Sequence, residues 1–138
     1  PSARVTLIER MGRRAGFLRN TLAILGLPGL DVEEREIEKA EGGRFDMVVF
    51  RALRPLQPPI YRALRRLLRA DGASPGRVLA AYKGRMDSAA GEMRALEASL
   101  KGDGPLSWEA APCPVPFLNE ERRLLLIRAA PGVNERNI

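Results

Sequence analysis

The sequence predicts an α/β protein built on a mostly parallel sheet with an antiparallel edge, and three observations carry that expectation. Apolar, β-branched runs alternate with stretches of helical periodicity from residue 4 to residue 100. Two of the runs, within FDMVVFRAL (Phe45–Leu53) and RVLAAY (Arg77–Tyr82), are apolar without alternation, the pattern of strands covered on both faces by helices. The last two runs follow one another in the manner of a hairpin and read as the antiparallel ending.

Arg4–Ile8 is β-branched and closes at Glu9, which gives the first strand. Met11–Leu25 then turns helical. Phe17, Leu18, Thr21, Leu22 and Leu25 share one stripe, Arg13, Arg14 and Arg19 lie off it, and Gly26 and Pro28 stop the helix. Asp31–Glu38, DVEEREIE, alternates imperfectly between Val32 and Ile37 and is assigned a strand from its position. Gly42 and Gly43 turn the chain into FDMVVFRAL, and Pro55, Pro58 and Pro59 mark a loop and a helix start. The helix over Ile60–Ala70 turns Ile60, Leu64, Leu67 and Leu68 inward and Arg62, Arg65, Arg66 and Arg69 outward. DGASPG is a turn, Arg77–Tyr82 a strand closing at Lys83 and Gly84, and Asp87–Leu100 a helix carrying Met93, Leu96 and Leu100. After the loop KGDGP come strands at Glu109–Val115 and Arg122–Arg128, then a loose tail, PGVNERNI.

The 138 residues suffice for one domain with a real core, and residues 1–138 are read as that domain. No apolar run approaches the ~20 residues of a membrane span, and the expected location is the cytoplasm. There is no histidine, and Cys113 is the single cysteine. That removes His-based and Cys-based metal sites, Ser-His-Asp triads and the commonest general base. A net charge of +6 favours an anionic partner, nucleic acid first. The arginines of the two helices read equally well as solvated faces.

Open α/β sheets bind their ligands beyond the carboxyl ends of the strands, so the residues closing the strands are the candidates. These are Glu9, then Glu36 or Glu38, then Arg51 and Lys83, all expected on one rim. An acid ending a strand of a nucleotide-binding fold is placed to accept hydrogen bonds from ribose hydroxyls; the alternative for Glu9 is a carboxylate offsetting a helix dipole. Arg51 and Lys83 each follow a strongly apolar run and need an anionic partner, either a ligand or a nearby carboxylate.

ARVTLIERMGRRAGFLRNTLAILGL, FDMVVFRAL, RVLAAYKG and PFLNEERRLLLIR resemble four successive blocks of the RsmG family, also called GidB, in the family's order and over nearly the whole chain. The set of FDxVxxRA, a strand ending in a Lys-Gly pair and a closing ERxLLxIR is specific, although Tyr82 stands where the family has leucine. The resemblance implies a Rossmann-like class I methyltransferase that uses S-adenosyl-L-methionine to methylate N7 of a guanine in 16S ribosomal RNA. It implies a cofactor site with Glu9 on the ribose, Arg51 at the cofactor, and Glu36, Ile37 and Glu38 near the adenine, in a register ambiguous by one residue. Lys83 falls on the family's lysine and is implied to bind substrate. The implied protein is a cytoplasmic monomer that needs no metal.

The family's Gly-rich loop, of the form GSGxGxPG, is expected upstream of Pro1 with the first strand of the sheet. That strand would lie between the ones ending at Glu9 and Arg51. Without it, ladder groups of both neighbours stay unpaired, each costing about 1–3 kcal/mol where buried, and the chain by itself is expected to bind cofactor poorly. Two other readings stay open on the residues alone: a non-catalytic RNA-binding module with a degenerate methyltransferase fold, and a dinucleotide-dependent oxidoreductase.

Overall fold

The computed structural model describes residues 3–51, 55–69, 77–100 and 106–129. The expected turn DGASPG, the loop KGDGP, the tail PGVNERNI and the last two residues of FDMVVFRAL lie outside them. In chain order the elements are β1 (Val5–Glu9), α1 (Gly12–Leu25), β2 (Leu30–Glu34), a 3-10 turn (Ile37–Lys39), β3 (Met47–Arg51), α2 (Pro58–Leu67), β4 (Val78–Lys83), α3 (Met86–Ser99), β5 (Leu106–Pro112) and β6 (Arg123–Ala129). They fall into two compact units, Pro1–Glu41 and Gly42–Ile138.

In the first unit β1 and β2 pair in parallel, Val5 opposite Leu30 and Glu9 opposite Glu34, with α1 as the crossover packed on both. Ala15 is the buried centre of α1, and Leu18 and Leu22 are half-buried. Gly26, at φ 59°, ends the helix in the left-handed conformation that glycine adopts freely, and its N–H donates to the Leu22 carbonyl at 3.0 Å. Two expectations are corrected. Phe17 and Leu25, placed on the buried stripe, are 69% and 58% exposed, because two strands cover only the Ala15 side of α1. The strand expected to run to Glu38 ends at Glu34. The Lys39 N–H donates to the Glu36 carbonyl at 3.0 Å and the Lys39 ammonium to its carboxylate at 2.8 Å, and this local pairing favours a turn over a ladder.

In the second unit the strand order is β3-β4-β6-β5, with β3–β4 parallel and the other two pairings antiparallel. The chain therefore has the expected α/β fold: parallel pairs, and an antiparallel edge. β4 has a neighbour on each side and is buried from Val78 to Ala81. The core adds Ile60, Tyr61, Leu64 and Leu67 of α2, Ala89, Met93 and Leu96 of α3, and Leu125 and Ile127 of β6. Each large side chain buried in this way stabilises the fold by about 1.5–3 kcal/mol. Pro58 and Pro59 occupy the first turn of α2, where a missing N–H costs nothing, and Arg65 and Arg66 sit in its last turn, where cations offset the dipole. The carbonyls ending α2 are taken by the chain entering β3. Gly43 donates to Arg66, and Arg44 and Phe45 donate to Leu67, at 2.9 to 3.0 Å. A Cβ on Gly42 would lie 2.9 Å from the Arg66 carbonyl, so glycine permits this approach. On the other side, the Trp108 indole of β5 donates to the Glu97 carboxylate of α3 at 3.0 Å.

The expectation that β3 is covered on both faces is also corrected. Met47 and Val49 are 51% and 55% exposed while Val48 and Phe50 between them are half-buried. β3 is an edge strand of its sheet, and no described element of its unit packs on the Met47–Val49 face. Among the described residues β1 pairs with β2 alone and β3 with β4 alone. No described helix is long and apolar enough to cross a membrane.

Candidate functional site

β3, β4 and β5 all end at the same edge of the second unit's sheet. Arg51 stands opposite Tyr82; Lys83, the next residue, stands opposite Arg123, and Arg123 stands opposite Pro112, the last residue of β5. Alternation along β4 sends Tyr82 and Lys83 to opposite faces. Arg51 is exposed, and no ion pair to it is found among the described residues. Lys83 is different. Its ammonium donates to both oxygens of Glu92, at 2.8 and 2.9 Å, and Glu92 Oε1 also accepts the Leu56 N–H at 2.6 Å. The carboxylate that the sequence left unnamed beside Lys83 is therefore Glu92. Beside it opens a cleft of about 530 Å³ between Pro55–Pro59 and the Ser88–Ser99 side of α3.

The connection from β5 to β6 rises from this same edge. The Cys113 N–H donates to the Arg122 carbonyl at 3.0 Å, closing its base, and the Leu118 N–H donates to the Val115 carbonyl at 3.1 Å, closing a turn at its tip. In that turn Phe117 has φ 65°, a left-handed conformation that non-glycine residues rarely adopt, and its ring is fully exposed. Glu121 holds the return limb. It accepts from Arg123 Nε at 2.8 Å and from the Met86 N–H at 3.4 Å, at the first turn of α3. The Arg123 hydrogen bond first, and the Met86 N–H second, hold the Glu121 carboxyl below the usual carboxylate range.

In the first unit Glu9 and Glu34 end β1 and β2 side by side. Glu9 Oε1 accepts the Met11 N–H at 2.8 Å, at the start of α1, and Glu9 Oε2 lies 4.0 Å from Arg14. Glu34 pairs with Arg19 at 3.2 Å. Glu36 and Glu38 are exposed and Ile37 half-buried, in the turn beyond β2. The hydrogen bond and then the charge of Lys39 lower the Glu36 carboxyl's pKa, and the hydrogen bond and charge of Glu36 raise that of the Lys39 ammonium. Each unit thus brings its own residues to the carboxyl ends of its own parallel strands: Glu9 with Glu34, and Arg51 with Lys83. Sequence reasoning missed Glu34 because DVEEREIE offers five acids and no break. It missed Glu92 because the partners lie nine and thirty-six positions away. Among the described residues no group of three or more His, Cys, Asp or Glu could hold a metal ion.

The profile of the family described as GidB, rRNA small subunit methyltransferase G, matches residues 1–111. The chain belongs to this family. A family member from Treponema pallidum, Ribosomal RNA small subunit methyltransferase G, is 36% identical over 128 residues, covering 92% of this chain and 52% of its own length. The chain thus spans about half the length of the curated relatives it matches. Among solved structures, an rRNA methylase from Streptococcus thermophilus superposes with a TM-score of 0.54 at 14% identity, covering 91% of this chain and 73% of its own. A variant of MtNAS in complex with S-adenosylmethionine gives 0.58 at 19% identity, covering 93% and 46%. At such identities the likeness is one of fold: the chain has the α/β fold of these proteins.

Proposed function

We propose that the full-length protein transfers a methyl group from S-adenosyl-L-methionine to N7 of a guanine in 16S ribosomal RNA, acting as a cytoplasmic monomer without a metal. Family membership carries this reading. Bound S-adenosylmethionine supplies an electrophilic methyl group on a cationic sulfonium. The residues present fit that group in kind. Glu9 keeps lone pairs beyond the one taken by Met11, as a partner of ribose hydroxyls needs. Arg51 offers an exposed guanidinium suited to a carboxylate or phosphate. Glu36, Ile37 and Glu38 are assigned to the adenine side, and Lys83 to the RNA substrate. An ammonium has three donors, of which Glu92 takes two.

N7 of guanine carries a free lone pair, so the chain has no proton to remove and needs no general base. Its work is to place the base in line and exclude water. The exposed ring of Phe117 and the exposed Tyr82 at the edge shared by Arg51 and Lys83 suit an unpaired base, since single-stranded RNA is held largely by stacking on aromatic rings. Methyl transfer from labelled S-adenosylmethionine to small-subunit RNA, with the modified position mapped, tests the proposal. Substituting Arg51→Ala should lower turnover sharply; unchanged turnover removes Arg51 from the site.

A further inference from the structure

We propose that Glu92 is the positioning residue that sets Lys83 and the segment leaving β3 in register with each other at the edge where the strands end. The inference rests on the methyltransferase reading for its functional consequence. Its geometry stands apart from that reading.

Glu92 occupies an unusual place for a carboxylate. On α3 it lies three residues after Ala89 and four before Leu96, both buried, so it continues the inward stripe where a helix ordinarily carries an apolar residue. Its side chain and that of Lys83 are each 18% exposed. A charge held so far from water persists only when its acceptor sites are filled. Here they are filled from two directions. Lys83, the last residue of β4, supplies two charge-assisted bonds, and the N–H of Leu56, a residue nearly fully buried beyond the end of β3, supplies the third. One carboxylate therefore ties the end of β4, at Lys83, to the backbone of Leu56 on the segment that enters α2. It also orients the Lys83 ammonium, leaving one N–H for a ligand. Glu92 touches no reacting atom in this arrangement and acts through Lys83 and Leu56.

Four variants of the full-length protein test this: Glu92→Gln, Glu92→Asp, Lys83→Met and the pair Glu92→Gln with Lys83→Met. Methylation of small-subunit RNA is measured at a temperature where each is folded, with cofactor affinity by calorimetry and Leu56 amide exchange by mass spectrometry. Glu92→Gln keeps an acceptor for Leu56 but loses the charge that holds Lys83. It should lower kcat/KM for RNA about tenfold, a loss of ~1.4 kcal/mol of transition-state stabilisation, with cofactor affinity within about twofold. Glu92→Asp, which keeps the charge, should recover part of that loss. The double variant should be no worse than Lys83→Met alone, because Glu92 acts through Lys83. Full activity in Glu92→Gln, or losses that multiply in the double variant, overturns the proposal. A wild-type protein inactive on small-subunit RNA would instead refute the methyltransferase reading. The exchange measurement then decides for Glu92: faster exchange at Leu56 in Glu92→Asp upholds the positioning, and unchanged exchange overturns it.

Discussion

Glu9 and Met11 are joined by a hydrogen bond that runs backwards along the chain: the Met11 N–H at the head of α1 donates to the carboxylate ending β1, at 2.8 Å. The two readings of Glu9 open at the sequence level, ribose partner and helix-start carboxylate, are thereby compatible. One oxygen serves the helix, and the other keeps capacity for a ligand. Replacing Glu9 with Ala in the full-length protein should weaken cofactor binding about tenfold, or ~1.4 kcal/mol, and cost the fold about 0.5–1 kcal/mol through the lost helix-terminal charge. Calorimetry and urea unfolding separate the two effects. Cofactor affinity that survives Glu9→Ala would remove Glu9 from the site and leave it a helix-start residue.

Lys83→Met should be costly in a different way. It leaves the Glu92 carboxylate mostly buried, with the Leu56 N–H as its remaining partner, and should destabilise the protein by about 2–3 kcal/mol. Adding Glu92→Gln should return part of that loss, since the stranded charge goes with it. Urea midpoints of the three proteins read this directly, and a Lys83→Met protein as stable as wild type would show the pair to be solvated.

The tie between Glu121, Arg123 and the head of α3 sets a pH dependence. The folded protein holds the Glu121 carboxyl below its ordinary 4.5, so its contribution to stability is fully present above pH 4.5 and lost as pH falls through the lower folded value. Melting temperatures of wild type and Glu121→Gln should differ by a constant amount from neutral pH down to about 5 and converge below that. A difference that grows on acidification would reverse the sign and refute the assignment.

Phe117 offers a test in which stability and binding move oppositely. Its φ of 65° is unfavourable for a residue with a Cβ, and its ring is fully exposed, so Phe117→Gly relieves strain without uncovering a core. Stability should rise by about 1 kcal/mol, while RNA affinity should fall about tenfold through lost stacking. Thermal melts and RNA titrations at fixed salt check the two halves separately; an unchanged RNA affinity would take Phe117 out of the RNA surface.

Much of this architecture could be read from local chemistry. Leu64 and Leu67 recur at helical spacing among arginines, Pro58 and Pro59 announce a helix start, and RVLAAY is apolar enough to demand neighbours on both sides. The failures share one cause. Helical spacing puts Phe17 and Leu25 inside, and an unbroken apolar run does the same for Met47 and Val49, yet neither pattern shows what packs on the face it identifies. Arg51 and Lys83 stand out in the sequence because each is a charge ending an apolar run. Glu34 and Glu92 were missed because a glutamate on a helix or among other acids looks solvated until its partners, distant in sequence, are known.

The bond between Trp108 and Glu97 has a practical side. Trp108 is the chain's single tryptophan, half-buried on β5 with its indole N–H committed to a carboxylate of α3. Tryptophan fluorescence of this chain, excited selectively over Tyr61 and Tyr82, is therefore a single-site signal. A ligand that disturbs how α3 lies against the antiparallel edge should change the emission, and one that acts only on the β3 side should leave it dark to the spectrometer. The molecule carries its own optical label, and titrations can begin without attaching one.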